Sequence, residues 1–219
     1  MSAWIQTRSG VPFDFRDGGP EQIRTEDIGA ALSKLCRFTG HTREFYSVAE
    51  HSVLVSLLVP EEFALEGLLH DAHEAYVGDM STPLKRALRP AGGLSGYDVV
   101  ESEAEHRVRA LFGLSKRKTP PVAKADVQAM IAERSALMAP SSREWDLNTT
   151  IPMPSGLLCL APALAERLFM GRVEWLSGAK DLFNPFRDPR DVSRVENFCN
   201  PGMEQMRSIA RHVLKELAK

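Results

Sequence analysis

Prolines and glycines cut this chain into pieces of helical length, and that punctuation most limits the folds open to it. Pro60, Gly78, Pro83, Gly113, Pro121 and Pro140 stand at the edges of segments whose apolar residues recur every three or four positions. Such spacing gives each helix one apolar stripe, which must be buried against a neighbour. Thr25, then Glu26 and Asp27, then Ile28, Ala31, Leu32 and Leu35 predict a helix over roughly 26–36, with Thr25 as its cap and acids in its first turn. Ser47 with Glu50 three residues on is a capping-box pattern and opens a helix that Pro60 ends. A further helix is expected from Pro60 to about Val77, with Gly78 as its stop, and Pro83 begins a short helical turn. Others are expected over Glu101–Phe112, closed by Gly113, and over Val122–Met138 behind Pro121. Two later amphipathic segments, 162–177 and 201–217, also suit helices, with 178–200 loop-like between them.

Residues 37–46 break the period and predict a loop, as do 90–96 and the basic connector 115–121. Pro140, Pro152 and Pro154 mark an irregular stretch. Near the N-terminus, Trp4 and Ile5, then Val11, Phe13 and Phe15, flank Ser9-Gly10 and predict a short β-hairpin or an extended lead-in. The fold class is therefore all-α, a compact helical bundle with a short N-terminal hairpin. The 219 residues suit one domain, with a core at about 20–138 and a helical extension over 139–219.

Composition narrows the function. Hydrophobic residues at 43% and charged residues at 26% describe a globular chain, not a disordered one. A formal net charge of -2 without a long basic run argues against duplex nucleic acid as the principal partner, since such binding needs many phosphate contacts. Cys36, Cys159 and Cys199 are odd in number and far apart, which suits reduced thiols. The first ten residues lack the apolar stretch of a signal peptide, and no segment has the ~18–20 apolar residues of a membrane span, so a cytoplasmic protein is expected.

The chemistry concentrates in Leu68-Leu69-His70-Asp71-Ala72-His73-Glu74. A carboxylate in an apolar run is costly to bury unless it is paired or holds a metal. Glu74 follows Asp71 by three residues and His70 by four, so these three side chains lean toward one face. His73 is out of phase with His70 and is expected at the surface or behind it. His51 and Asp126 each interrupt another apolar helical stretch. Taken singly, a helix histidine is more often hydrogen-bonded core, and a helix aspartate is more often solvated.

The order His … His-Asp … Asp changes that weighing. It resembles the HD-domain metal-dependent phosphohydrolase superfamily, whose all-α fold collects four ligands from three helices. Arg37-Phe38, Gly40-His41-Thr42, the run Phe45 to Ser52, Leu69-His70-Asp71, Glu74-Ala75-Tyr76, Gly78-Asp79 and Thr82-Pro83-Leu84-Lys85 look like the YfbR-like 5′-deoxynucleotidase branch and its phage dATP triphosphohydrolase relatives. The resemblance covers about residues 20–138.

The resemblance implies His51, His70, Asp71 and Asp126 as ligands of one divalent ion, Mn, Co, Zn, Fe or Mg. It implies Glu74 as the carboxylate that orients or deprotonates the attacking water. Arg37 and Lys85 match phosphate contacts, Phe38 an aromatic beside the nucleoside, and Asp79 a partner of the sugar 3′-hydroxyl. Lys124 lies near where another basic residue would be useful. Glu74 stands where dinuclear relatives have a further histidine, which favours a single metal.

The implied activity is hydrolysis of a (deoxy)nucleotide to nucleoside plus phosphate or triphosphate, with Lys85 leaning toward the longer substrate. A homo-oligomer is compatible with such relatives. Gly96-Tyr97 continues as Asp98, against a cyclic-dinucleotide enzyme, and Glu74 is followed by Ala75, against an alarmone hydrolase. The reading from a different class is a non-catalytic nucleotide-binding sensor that keeps the pocket.

Overall fold

A computed structural model describes residues 3–91, 93–143, 145 and 157–177. The expected loop over 178–200, the helix over 201–217 and Cys199 lie outside the described residues. Helices dominate: α1 Thr25–Leu32, α2 Val48–Leu58, α3 Ala64–Leu69, α4 Glu74–Val77, α5 Thr82–Leu88, α6 Gly96–Leu111, α7 Pro120–Leu137 and α8 Pro162–Leu176. Strands β1 Trp4–Gln6 and β2 Pro12–Asp14 pair antiparallel with Ile5 opposite Phe13, so the expected hairpin forms. Gly10 turns between them at φ +85°. Phe13 is fully buried, stacks on Tyr76 of α4 at 4.0 Å and carries the Arg107 guanidinium over its ring at 4.3 Å, which ties the hairpin to α4 and α6.

α2 is the centre of the bundle. Residues 48–56 are buried without a break, so this helix has no solvent face over that span. It packs on α3, α7 and α8. Gly67 lets α3 come close, for a Cβ there would lie 3.0 Å from the Cα of Ser56. Val48, Ala49 and Val53 meet Ile28, Leu32, Leu68, Leu69 and Phe169 in the main core. A second cluster joins Tyr46 and Val55 to Val122, Ala125 and Ala129 of α7.

Several helix limits differ from the sequence reading, each for a local reason. α1 is capped at Arg24, includes Thr25 and ends at Leu32. Ser33 Oγ and Lys34 Nζ both donate to the Ala30 carbonyl, and Cys36 is drawn into a β-bridge with Ser47. α6 starts at Gly96, five residues before the expected Glu101, because Ser95 and Asp98 form a reciprocal capping box. Asp98 is gripped in addition by Arg89 at 2.7 Å.

The helix expected from Pro60 to Val77 is broken. After a turn at Glu61–Phe63, α3 stops at Leu69 and α4 starts only at Glu74. Between them the backbone bonds run three residues back, Ala72 N to Leu69 O, Glu74 N to Asp71 O and Tyr76 N to His73 O. This tightening places residues three apart nearly above one another. Among the described residues, no helix is long and apolar enough to cross a membrane.

A candidate metal centre between α2, α3 and α7

His51 lies at the end of the first turn of α2, His70 and Asp71 just beyond the last turn of α3, and Asp126 in the second turn of α7. The bundle brings all four together, with one donor atom from each within 4.8 Å of the others, and the group could hold a metal ion. His51 Nε2 is 3.3 Å from His70 Nε2 and 3.2 Å from Asp126 Oδ1. Asp71 Oδ2 is 3.1 Å from His70 Nε2 and 3.6 Å from His51 Nε2. Metal–ligand bonds of about 2.0–2.2 Å separate neighbouring donors by roughly 3–3.5 Å, so the spacing suits one small cation.

The tautomers sharpen that fit. His70 Nδ1 is 2.8 Å from the Gly67 carbonyl, which only accepts, so the proton is on Nδ1. His51 Nδ1 is 2.7 Å from the fully buried carboxylate of Glu133, which orients its proton likewise. Both Nε2 lone pairs therefore face each other and two carboxylate oxygens. A proton on an imidazole or a cation must sit among them. Burial and the nearby Arg37 work against charge on His51, but Glu133 and Asp126 outweigh them and push it up to about 9. His70 is also raised; burial opposes this, and the carboxylates of Asp71 and Asp126 overcome it. Burial pushes against ionisation of Asp126 too, yet His51, His70 and Lys118 hold it far below the usual carboxylate range.

Glu74 lies beside this cluster, one tightened turn from Asp71. Only 6% exposed, its Oε2 is buried without a hydrogen-bond partner. Burial, and then the charges of Asp71 and Asp79, push it well above the ordinary range against the pull of Arg37 and Lys85. Arg37 is held by Glu133 at 3.2 Å and by Asp79 at 3.6 Å. Phe38 follows it at φ +52°, a strained conformation for a side chain of this size, and its ring faces Trp145 at 6.1 Å. Lys85 on α5 reaches Glu101 of α6 at 2.6 Å. Every sequence-predicted site residue lies among the described residues, but Arg37, Lys85 and Asp79 are engaged with protein charges.

Four groups at the site were not foreseen. Glu133 is two helical turns beyond Asp126 on α7, and that spacing is a signal the sequence contains. Trp145 stands against Phe38, with the Arg134 guanidinium over it at 4.6 Å. Glu101 collects Lys85, the Tyr97 hydroxyl at 3.3 Å and His73 Nε2 at 3.9 Å. His73 is correspondingly not at the surface; burial lowers it to about 4. The extra basic residue is Lys118, from the connector before α7, with Nζ 2.7 Å from Asp126 Oδ2. Lys124 instead lies exposed on α7, and His41 is exposed as well.

Comparison with known proteins gives relatives of this chain but no activity. No protein-family model matches it. The uncharacterized protein YfdR of Escherichia coli is 38% identical over 177 residues, which covers 80% of this chain and 96% of that protein. An uncharacterized protein of Rhodobacter capsulatus is 36% identical over 132 residues, 56% of this chain and 65% of its own length.

Proposed function

The chain belongs to the family of Escherichia coli YfdR, and from that footing we propose that it is a metal-dependent phosphohydrolase that cleaves the phosphate end of a (deoxy)nucleotide. One observation carries the reading. Four side chains that could hold a metal ion converge beside a buried carboxylate oxygen that lacks a partner. A purely structural cluster has no use for that leftover oxygen, whereas a hydrolase needs a proton acceptor there.

Phosphate esters resist hydrolysis because their oxygens repel an anionic nucleophile. His51, His70, Asp71 and Asp126 would hold a divalent ion, which would supply Lewis acidity to the phosphoryl group and make a water more acidic. Glu74 accepts that water's proton, and its elevated affinity for protons suits the task. Arg37, pinned in a fixed direction by Glu133 and Asp79, offers its guanidinium to the phosphoryl oxygens. Lys85 adds a second cation when a phosphate draws it from Glu101, and Phe38 with Trp145 gives the nucleoside an apolar flank.

The test is elemental analysis of protein purified without added metal, then a panel of nucleoside mono- and triphosphates with Mn²⁺, Co²⁺ or Mg²⁺. Release of orthophosphate or of triphosphate distinguishes the two product patterns. A chain without metal affinity and without turnover refutes the proposal. Tight nucleotide binding with metal but no turnover selects the sensor reading, which Glu74 disfavours.

Glu133 provides a separate check on the metal centre. Glu133→Gln keeps the side chain's shape but removes the charge that orients His51. Mn²⁺ affinity, read by titration calorimetry, is expected to fall ~10–100-fold, as is usual when the partner of a ligating histidine is lost.

A further inference from the structure

We propose that Lys118 is a positioning residue that holds Asp71 and Asp126 to one-oxygen ligation, a role that rests on the metal reading above. The two carboxylates are split in the same sense. Asp71 Oδ2 and Asp126 Oδ1 face the two imidazoles, at 3.1 Å from His70 and 3.2 Å from His51. Their other oxygens face Lys118, with Asp126 Oδ2 at 2.7 Å and Asp71 Oδ1 at 3.8 Å from Nζ. One ammonium thus hydrogen-bonds the second oxygen of Asp126 and lies within ion-pair reach of the second oxygen of Asp71, and so draws both away from the cation.

The backbone on both sides of Lys118 is fixed to match. Arg109, 1% exposed, donates to the carbonyls of Ser115 at 2.5 Å and Arg117 at 3.0 Å. Its partner Glu66 accepts from Thr119 N at 2.9 Å and from the Thr119 hydroxyl at 2.7 Å. A buried ion pair from α3 and α6 therefore grips residues 117 and 119. A solvated surface lysine needs no such support.

The consequence concerns coordination number. A carboxylate free to turn can give both oxygens to a divalent ion and displace a water from it. With Lys118 in place each aspartate gives one, and positions remain for water and for a phosphoryl oxygen. Lys118 therefore acts through Asp71 and Asp126, not on the substrate.

The experiment counts water on bound Mn²⁺ by water-proton relaxation in the full chain, comparing wild type with Lys118→Met, Lys118→Arg and the neighbouring exposed Lys116→Met. Lys118→Met is expected to lose about one Mn²⁺-bound water at saturation, since it keeps the stem and removes the ammonium. Lys118→Arg is expected to restore the count, and Lys116→Met to leave it unchanged. A Lys118→Met chain that drops Mn²⁺ while Lys118→Arg keeps it supports the same role. If Lys118→Met does not fold, Lys118→Gln against Lys118→Arg makes the same comparison. An unchanged water count and affinity in Lys118→Met overturns the proposal, as does a Lys118→Arg chain indistinguishable from it. A wild-type chain that binds no Mn²⁺ fails differently, by removing the metal reading itself.

Discussion

Glu74→Gln is expected to slow nucleotide hydrolysis ~10²–10⁴-fold while Mn²⁺ binding survives. The tightened turn after α3 brings Glu74 N to 3.0 Å from the Asp71 carbonyl, so both side chains emerge on one side. Glu74 is not needed to complete the four-donor group, and its free Oε2 leaves no partner stranded when it becomes an amide. Glutamine keeps the volume but loses the charge and with it the ability to take a proton. The loss should fall on kcat with KM little changed, because a base acts in the transition state. The pH profile gives a second reading. Burial and the carboxylates of Asp71 and Asp79 raise Glu74, so the wild-type rate should climb with pH as the group ionises, and that limb should vanish in the variant. Initial rates on the best substrate of the panel, beside calorimetric Mn²⁺ titrations, measure both. A rate within twofold of wild type would remove Glu74 from the reaction.

The candidate site was legible in the sequence where a charged group interrupts an apolar helical run. His51 and Asp126 each interrupt an apolar run, which taken singly suits a core histidine and a solvated aspartate; the order His … His-Asp … Asp and the resemblance it carries single them out, and the leucines before it mark the His70-Asp71 pair. The hairpin could be read because turn residues and alternation agree. The break at residues 70–73 could not, since Ala72 and its neighbours are compatible with helix, and the turn is imposed by close α2–α3 packing at Gly67 and by the hydrogen bond from His70 to the Gly67 carbonyl. Lys118 was hidden for another reason. Lys116, Arg117 and Lys118 are equivalent as sequence, and only the connector's path over Arg109 and Glu66 selects the last of them. For His73 the sequence left the surface and a place behind the site both open, and the contact with Glu101 of α6 selects the second. Local pattern thus specifies which groups are too polar for their surroundings, while tertiary contacts decide which solvated-looking cations join them.

Arg109→Met is expected to lower stability by about 3–5 kcal/mol, the usual cost of removing one partner from a buried ion pair. Arg109 is 1% exposed, and its guanidinium lies 2.6 Å from Glu66 Oε1. Methionine fills much of the stem's space but leaves the Glu66 carboxylate without its countercharge, held by Thr119, and takes a donor from the Ser115 and Arg117 carbonyls. For a chain of this size the loss corresponds to a fall in Tm of ~10 °C, read by scanning calorimetry at neutral pH. The deficit has a definite pH dependence. Burial raises Glu66, but hydrogen bonds from Thr119 and Arg109 more than offset it and leave the carboxyl below its usual 4.5. A depressed carboxyl stabilises the fold above its unfolded value and loses that contribution as pH falls through its folded value. The gap between wild type and Arg109→Met should therefore be widest near neutrality and narrow as pH falls, because Glu66 without its countercharge takes a proton while the paired Glu66 of the wild type still resists one. Glu66→Met combined with Arg109→Met should cost less than the two singles added together, since no charge is then left buried alone. Because the same pair holds residues 117 and 119, folded Arg109→Met should also shift the Mn²⁺ water count toward that of Lys118→Met. A stable variant with the wild-type melting temperature would show that the connector is held by other means.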